Sequence, residues 1–307
     1  MAIGTVTESG GEQAQMGSKR NVIRMGGNVL ALATSRARLL PSFLVIGTKR
    51  GGSTSLYDYV TRHPAVLPAR VEKGSHYFDV NHGRGWTWFR STFPLARGSD
   101  VITGEASPYY MFHPLAAERF AAALPEVRLI ASLRDPVTRA WSQHQYETKR
   151  GFEDLPFEEA LAREAERLAG QEERVRAGEE SFAHRHHTYL ARGRYAEQLE
   201  RIYQLVPPER VLVVRSEDMF ADPAAALARI WRFLGLADHQ LEDVPVLKAN
   251  RYEQGMPAAA RAYLQSYYEP HNQRLYRLPG IDFRWEAEAP AAAAGPPERL
   301  ASLPSQP

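Results

Sequence analysis

Cysteine is absent from this chain of 307 residues, and its absence excludes several kinds of chemistry. A chain without thiols has no disulfide framework, no thiolate nucleophile and no zinc or iron–sulfur site with cysteine ligands. The same absence suits a reducing compartment, because disulfides persist mainly in oxidising ones. We therefore expect a cytoplasmic protein.

Long hydrophobic runs and a strong net charge are also lacking. A membrane span needs about 18 consecutive apolar residues, whereas the strongest run here, 43–47, has only the length of a β-strand. The formal net charge is +2, which argues against a nucleic-acid partner. Because 44% of the residues are hydrophobic, we expect a globular protein with a sizeable core and no transmembrane segment.

The charges that are present are distributed unevenly. Between Gln13 and Tyr57 there is no acidic residue, while seven residues are Lys or Arg. From Gly151 to His187 the sign reverses, because ten carboxylates oppose five arginines. Local charge therefore indicates the chemistry of the partners better than the total does.

Composition divides the chain into three parts. Residues 1–40 are predicted to form a flexible basic extension that docks loosely on the domain. Its acid-poor start also leaves peripheral membrane contact open as an alternative. Residues 41–286 are predicted to form one domain, and the Ala/Pro-rich residues 287–307 a disordered tail.

Short apolar runs alternate with helical patterns inside the predicted domain. The predicted strands are 42–47, 100–104, 127–133 and 210–214. Helical patterns follow them, for example at 53–62 and 114–123. Such alternation predicts an α/β fold, a three-layer sandwich in which helices flank a central parallel sheet. Sheets of this kind bind ligands at the carboxyl ends of their strands.

The turn after the first predicted strand resembles a phosphate-binding loop that has lost its lysine. Residues 47–54 read G-T-K-R-G-G-S-T, so Ser53 stands where a P-loop has lysine. Lys49 and Arg50 lie inside the loop instead, and no apolar run ends in an aspartate suited to hold Mg²⁺. The pattern favours a short phospho-anion neutralised by cations, although a purely structural turn would look similar.

A second motif, residues 133–146, follows the strand predicted at 127–133. Asp135 and Pro136 fit the N-cap and first position of a helix. Arg134 lies at the ligand edge of the sheet and Ser142 two turns into the helix, so they could hold a second phosphate. The alternative is that Arg134 pairs with a carboxylate.

Together these two motifs resemble those of the sulfotransferases that use 3′-phosphoadenosine 5′-phosphosulfate (PAPS), especially the heparan and glycan branch. The 49–54 loop resembles the 5′-phosphosulfate loop of that family, and 134–142 resembles its 3′-phosphate motif R-[DN]-P-x-x-R-[AV]-x-S. Further segments that resemble the family are 73–79 (KGSHYFD), 104–110 (GEASPYY), 193–199, 211–219 (VLVVRSEDM) and 267–285. The resemblance covers residues 42–286.

The resemblance implies a P-loop-like domain that transfers a sulfuryl group from PAPS to a hydroxyl or amine without a metal. It assigns the 5′-phosphosulfate to Lys49, Arg50, Gly51, Gly52, Ser53, Thr54 and Ser55. It assigns the 3′-phosphate to Arg134 and Ser142, and a cofactor loop contributes Arg251. The acceptor it implies is a small molecule or glycan: a carbohydrate, a glycolipid or a secondary metabolite.

Three positions depart from the family pattern. Arg50 stands where the family usually has lysine, and since a guanidinium does not give up its proton, Lys49 is a candidate acid. Gly74 replaces a glutamate that serves relatives as the base, which leaves His76, with Glu72 as its rival. Ala106 stands where glycan relatives often carry lysine.

The acidic segment bears on the acceptor and on competing functions. Residues 157–180 are predicted to be a solvated helix or an acceptor-side lid, and their negative charge favours a neutral or cationic acceptor. The histidines at 184–187 have no companion ligands at metal-binding spacing, so we expect no metal site. Alternative functions are an ATP-dependent kinase or NTPase on a degenerate P-loop, or a catalytically inactive nucleotide-binding protein.

Overall fold

Five parallel strands form the centre of the computed structural model, which describes residues 29–70, 73–98, 100–239 and 255–285. The strands are β1 (Phe43–Gly47), β2 (Val66–Leu67), β3 (Ile102–Ala106), β4 (Arg128–Leu133) and β5 (Val211–Arg215). Their spatial order is β2-β3-β1-β4-β5. The central strand β1 pairs with β3 on one side and with β4 on the other, and every pair is parallel.

The described helices lie in the connections between the strands and after them. They are α1 (Ser53–Val60), α2 (Trp86–Ser91), α3 (Ala116–Ala123), α4 (Pro136–Lys149), α5 (Phe157–Ala162), α6 (Glu164–Leu168), α7 (Gln171–Arg176), α8 (Phe182–His186), α9 (Tyr195–Tyr203), α10 (Ser216–Ala221), α11 (Pro223–Phe233) and α12 (Ala258–Leu275). None of these described helices is long and apolar enough to cross a membrane.

Alternation along β1 produces the three layers. Leu44 and Ile46 belong to one buried apolar cluster, whereas Phe43 and Val45 belong to another. Successive side chains of a strand point to opposite faces, so the two clusters lie on opposite faces of the sheet. The predicted three-layer α/β architecture is therefore confirmed.

A glycine in β3 makes room for an aromatic side chain on the neighbouring strand β1. A Cβ on Gly104 would lie 2.5 Å from the Phe43 ring, on the neighbouring strand. Phe43 and Gly104 are aligned in the parallel register, so the ring covers the space that a side chain would fill. Gly104 therefore allows a large aromatic residue at the centre of the sheet.

A third apolar cluster lies away from the sheet, under the acidic segment. It joins Trp141 of α4 with Phe157 of α5 and Leu264 of α12. Where one helix or lid was predicted over 157–180, the structure has the three short helices α5, α6 and α7. Gly170, with a φ of +70°, separates α6 from α7, because a left-handed residue ends an α-helix.

The predicted ends of the chain lie largely outside the described residues. Of the predicted extension 1–40, residues 29–40 are described. The buried Arg38 guanidinium donates to the carbonyl oxygens of Ala31 and Phe93, at 3.1 and 2.7 Å. The predicted tail 287–307 lies entirely outside the described part.

Candidate active site

The glycine-rich loop curls tightly against the end of β4. The Thr48 amide donates to the Ser132 carbonyl oxygen at 2.7 Å, and the Ser132 hydroxyl donates to the Gly51 carbonyl oxygen. A Cβ on Gly51 would lie 2.4 Å from the Ser132 carbonyl oxygen, so only glycine fits there. The loop therefore has one geometry, set by contacts between backbones.

This geometry leaves the N-terminus of α1 facing the carboxyl edge of the sheet. Gly52 caps the helix with a φ of +84°, and as a glycine it has no side chain to accept a hydrogen bond from the first amides. Ser53, Thr54 and Ser55 then form the first turn of α1. Backbone amides and the helix dipole make such a terminus favourable for an anion.

Arg50 connects this loop to the second motif. Its Nε donates to the Ser142 hydroxyl at 3.0 Å, and its guanidinium lies 4.7 Å from the centre of the Tyr146 ring. Ser142 and Tyr146 are both on α4. The two motifs that the sequence suggested for two phosphates therefore meet at one guanidinium.

Lys73, which the sequence reasoning did not select, lies at the same helix terminus. Its Nζ donates to the Thr54 hydroxyl at 2.6 Å and to the Ser53 hydroxyl at 3.4 Å. Burial, and then the charge of Arg50, lower the pKa of Lys73 to about 8. The sequence signal for this residue was its place in the segment that resembles K-E-x-H-F-F-D.

Lys49 has a different surrounding from its neighbour in the loop. Its ammonium pairs with the buried Glu147 of α4 and donates to the Arg185 carbonyl oxygen at 3.3 Å. Burial, together with the charge of Arg192, lowers the pKa of Lys49 to about 7. These contacts hold the Lys49 ammonium on α4 and on the segment after α7, so Lys73 is better placed at the α1 terminus.

His76 is held by a carboxylate three residues later. Its Nδ1 lies 2.7 Å from Asp79 Oδ2, and its backbone amide donates to the Ser107 hydroxyl at 3.1 Å. A carboxylate that accepts from Nδ1–H fixes the imidazole tautomer and leaves Nε2 as the basic nitrogen. This arrangement suits His76 for the predicted role of base.

Glu105 and Gly74 fasten the segment that carries His76 to the end of β3. The buried Glu105 carboxylate accepts from the Ser75 amide at 2.5 Å and from the Tyr110 hydroxyl at 2.6 Å. Burial raises the pKa of Glu105. A Cβ on Gly74 would lie 2.2 Å from the Ala106 carbonyl oxygen, and Ala106 is itself fully buried. The geometry thus accounts for the missing glutamate at position 74.

Arg50 and His76 also share an unusual backbone conformation. Among the described residues, Arg50 and His76 are the non-glycine residues with positive φ, at 71° and 52°. Such conformations are unfavourable for residues with a Cβ and cluster at active sites and ligand clamps. This observation supports the interpretation of Arg50 and His76 as functional residues.

Arg134 lies where the sequence predicts it, at the turn from β4 to α4. Asp135 caps α4 by accepting from the Val137 amide at 3.1 Å, and Pro136 is the first helical residue, so the predicted cap is confirmed. The Arg134 Nε donates to the Thr138 hydroxyl at 3.1 Å. The Tyr195 hydroxyl donates to the Arg134 carbonyl oxygen at 2.8 Å and so supports the turn.

The histidines at 184–187 have contacts other than a metal. His184 Nδ1 lies 2.6 Å from the Tyr109 hydroxyl, His186 Nδ1 lies 3.1 Å from Glu147, and His187 Nε2 lies 2.8 Å from the Phe152 carbonyl oxygen. Within the described ranges, no three His, Asp or Glu side chains gather as metal ligands would. Two other predicted residues, Glu72 and Arg251, lie outside the described part of the chain.

Comparison with known proteins decides the family. A family model described as the sulfotransferase domain matches residues 40–277. The chain belongs to the sulfotransferase family. It is 29% identical over 283 residues to heparan sulfate glucosamine 3-O-sulfotransferase 3A1 of Mus musculus, covering 85% of this chain and 68% of that protein. It is 30% identical to heparan sulfate glucosamine 3-O-sulfotransferase 6 of Homo sapiens, covering 86% and 80%.

A solved structure supports the same family. The crystal structure of a sulfotransferase from Alicyclobacillus acidocaldarius is 27% identical and has a TM-score of 0.63. The match covers 80% of this sulfotransferase and 97% of that chain. The predicted resemblance and the predicted P-loop-like fold are therefore confirmed, and none of these matches favours the kinase alternative.

Proposed function

We propose that this sulfotransferase moves a sulfuryl group from PAPS to a hydroxyl group of a carbohydrate, without a metal ion. The observation that carries the proposal is the meeting of Arg50, Lys73 and the α1 terminus at one edge of the sheet. Two cations beside a helix N-terminus fit a phosphosulfate, whose charge they balance without Mg²⁺.

The donor would lie across the carboxyl ends of β1 and β4. The 51–55 amides and hydroxyls would hold its 5′-phosphosulfate, and Arg134 with Ser142 would hold its 3′-phosphate. The two sets of binding residues follow the ends of β1 and β4, and these strands are direct neighbours in the sheet. This proximity supports a single ligand that contacts both sets. Arg50, bound to Ser142, lies between the two.

Each candidate residue then has a task in an in-line transfer. His76 accepts the proton of the acceptor hydroxyl while the acceptor oxygen forms a bond to sulfur. The bond between sulfur and the bridging oxygen of the 5′-phosphate breaks, and its electron pair leaves with 3′,5′-ADP. Arg50 and Lys73 stabilise the charge that develops on this leaving phosphate. Lys73 supplies a titratable proton there, which Arg50 does not.

The named relatives support a carbohydrate as the acceptor. Two of them carry heparan sulfate glucosamine in their names, and both match most of this chain. A carbohydrate hydroxyl is also the group that a histidine base would deprotonate at neutral pH during attack. An acceptor amine is the alternative for the same residues.

Ligand-dependent thermal stability tests the donor directly. A ligand that binds only the folded state raises the melting temperature, and at equal concentration the ligand with the lower Kd raises it more. We expect 3′,5′-ADP with excess EDTA to stabilise the protein, and Mg-ATP at equal concentration to stabilise it much less. Stabilisation by Mg-ATP together with none by 3′,5′-ADP would contradict the proposal and favour the alternative function, an ATP-dependent kinase.

A further inference from the structure

A cavity of about 350 Å³ reaches the residue that holds the proposed base, although His76 itself is not part of its lining. Asp79, which holds His76, is part of its lining. Tyr109 and His113, from the segment after β3, line the same wall. The opposite wall is the end of α7 and the segment through α8, including Glu180, Phe182 and Arg185. Cavities of this volume hold small ligands or single units of larger ones.

The charges in this cavity do not sum to a positive site. Its lining includes three acidic residues, Asp79, Glu179 and Glu180, and two arginines, Arg119 and Arg185. Of the acids, Asp79 contacts His76 and Glu179 pairs with Arg174, which is not among the lining residues. Arg119 already donates to the carbonyl oxygens of Phe78 and Asp79, at 2.9 and 3.0 Å. No lysine is among the described residues that line the cavity.

The histidines of the cavity add no positive charge at neutral pH. Burial lowers the pKa of His113 to about 4, and burial also lowers the pKa values of His82 and His186. All three therefore remain largely neutral near pH 7. A chain that carries several sulfates or carboxylates needs an excess of cations, and this cavity lacks one.

The wall also offers apolar surface suited to a ring. The Phe182 side chain is 51% exposed, although it packs edge-on against Phe152. Ligand pockets are commonly lined by aromatic side chains, and Phe182 is part of the lining of this cavity. Hydroxyl and imidazole groups nearby supply hydrogen-bond partners for neutral hydroxyls.

We propose that this cavity is the acceptor site and that it takes an uncharged sugar unit or a similar neutral polyhydroxyl compound. A sulfated or uronate-containing chain is disfavoured, because the lining has no excess of cations to balance its charge and Glu180 would repel it. This inference rests on the proposed function, since it takes His76 as the base. The proposed acceptor of this chain therefore differs from heparan sulfate, the polyanion in the names of its relatives.

A comparison of acceptors tests the inference. Labelled sulfate is offered from PAPS to neutral oligosaccharides and alkyl glycosides, and to heparin-derived oligosaccharides of equal length. We expect initial rates roughly tenfold or more higher with the best neutral acceptor. Equal or faster transfer to the anionic oligosaccharides, or no transfer to any neutral one, would overturn the inference. Loss of stabilisation by 3′,5′-ADP would instead overturn the proposed function.

A charge reversal tests the role of the wall. Glu180→Lys should raise the rate with the anionic oligosaccharide relative to the neutral one by roughly tenfold, because it replaces repulsion by attraction. Glu173→Lys is the matched control, since Glu173 is exposed on α7 but does not line the cavity. An equal change of preference in both variants would show a general charge effect and contradict the assignment.

A bulky substitution tests the position of the acceptor. Gly83 lines the cavity, and a Cβ there would meet no atom within 4 Å. Gly83→Trp should fill the space and lower transfer at least tenfold, with stabilisation by 3′,5′-ADP intact. Gly255→Trp is the control, because Gly255 is equally open but is not among the residues that line the cavity. Full activity of Gly83→Trp would contradict the proposed site.

Discussion

The glycine-rich loop (47–54) belongs to the proposed donor site, whereas α7, α8 and the residues between them (171–186), here called the α7–α8 wall, contribute to the proposed acceptor site. The two regions are built in different ways. The loop packs backbone against backbone, as at Gly51 and the Ser132 carbonyl oxygen. The wall consists of short helices with exposed ion pairs, such as Arg176 with Glu172.

These two kinds of construction indicate which region can change its sequence without loss of the fold. Where backbones are in close contact there is no space for a larger side chain, so we expect the donor side to tolerate few substitutions. Exposed ion pairs contribute only about 0–1 kcal/mol each, so the wall can change its sequence at little cost. The same donor chemistry can therefore be combined with different acceptor walls.

The largest expected effect comes from removing the charge at the loop. Arg50→Ala should lower kcat roughly 10²- to 10³-fold, because a preorganised stabiliser of the leaving phosphate is lost. Arg50→Lys should keep substantial activity if neutralisation is its task. Steady-state rates of sulfate transfer measure both, and an Arg50→Ala enzyme with unchanged kcat would contradict the role.

His76 should separate chemistry from donor binding. His76→Ala should lower kcat about 10²-fold, as the loss of a general base does. The Kd for 3′,5′-ADP should stay nearly unchanged, because the base contacts the acceptor. Asp79→Asn should reproduce part of the loss through the orientation of the imidazole. A fully active His76→Ala enzyme would transfer the role of base to Glu72.

Arg134 should show the opposite pattern. Arg134→Ala should raise the Kd for 3′,5′-ADP by about 10- to 100-fold, as the loss of a charge-assisted contact to a phosphate does. The kcat at saturating PAPS should change much less. Calorimetric titration with 3′,5′-ADP measures this, and equal affinity in the variant and the wild type would remove Arg134 from the donor site.

Lys73 makes donor binding depend on pH. With a pKa of about 8, its ammonium is charged below that pH and attracts the phosphate, and it loses this charge as the pH rises. The affinity for 3′,5′-ADP should therefore fall several-fold from pH 7 to pH 9.5, with a bound-state midpoint above 8. Lys73→Met should bind more weakly at pH 7 and flatten the profile. A variant profile identical to the wild type would exclude Lys73.

The smallest effect is expected on the wall. Glu172→Ala should change the free energy of unfolding by less than about 1 kcal/mol, because its ion pair with Arg176 is exposed. Chemical denaturation measures this value. A loss as large as that of a core substitution would show that the wall is as constrained as the loop.

Local sequence predicts the elements whose structure is local. The run at 43–47 predicts β1 because it is continuous and apolar, and Asp135 with Pro136 predicts the start of α4. The strand β2 has only two residues, Val66–Leu67, and its pairing with β3 is long-range, so no periodicity indicates it.

The candidate site divides in the same way. The loop and Arg134 follow strands directly, so their positions could be predicted from the sequence. The position of the Lys49 ammonium depends on its ion pair with Glu147 of α4. The position of the Lys73 ammonium depends on how its segment packs on β3. Such contacts join residues far apart in the chain, and residue types alone do not specify them.

The most direct test of metal-free transfer from PAPS is to measure where the labelled sulfate goes. Sulfate-labelled PAPS is incubated with the protein, excess EDTA and acceptor fractions from an extract of the source organism, and the labelled product is identified. We expect transfer of the sulfuryl group to a carbohydrate hydroxyl at the same rate with and without EDTA, and strongly reduced transfer by Arg50→Ala. No transfer, or transfer that EDTA abolishes and Mg²⁺ restores, would contradict it.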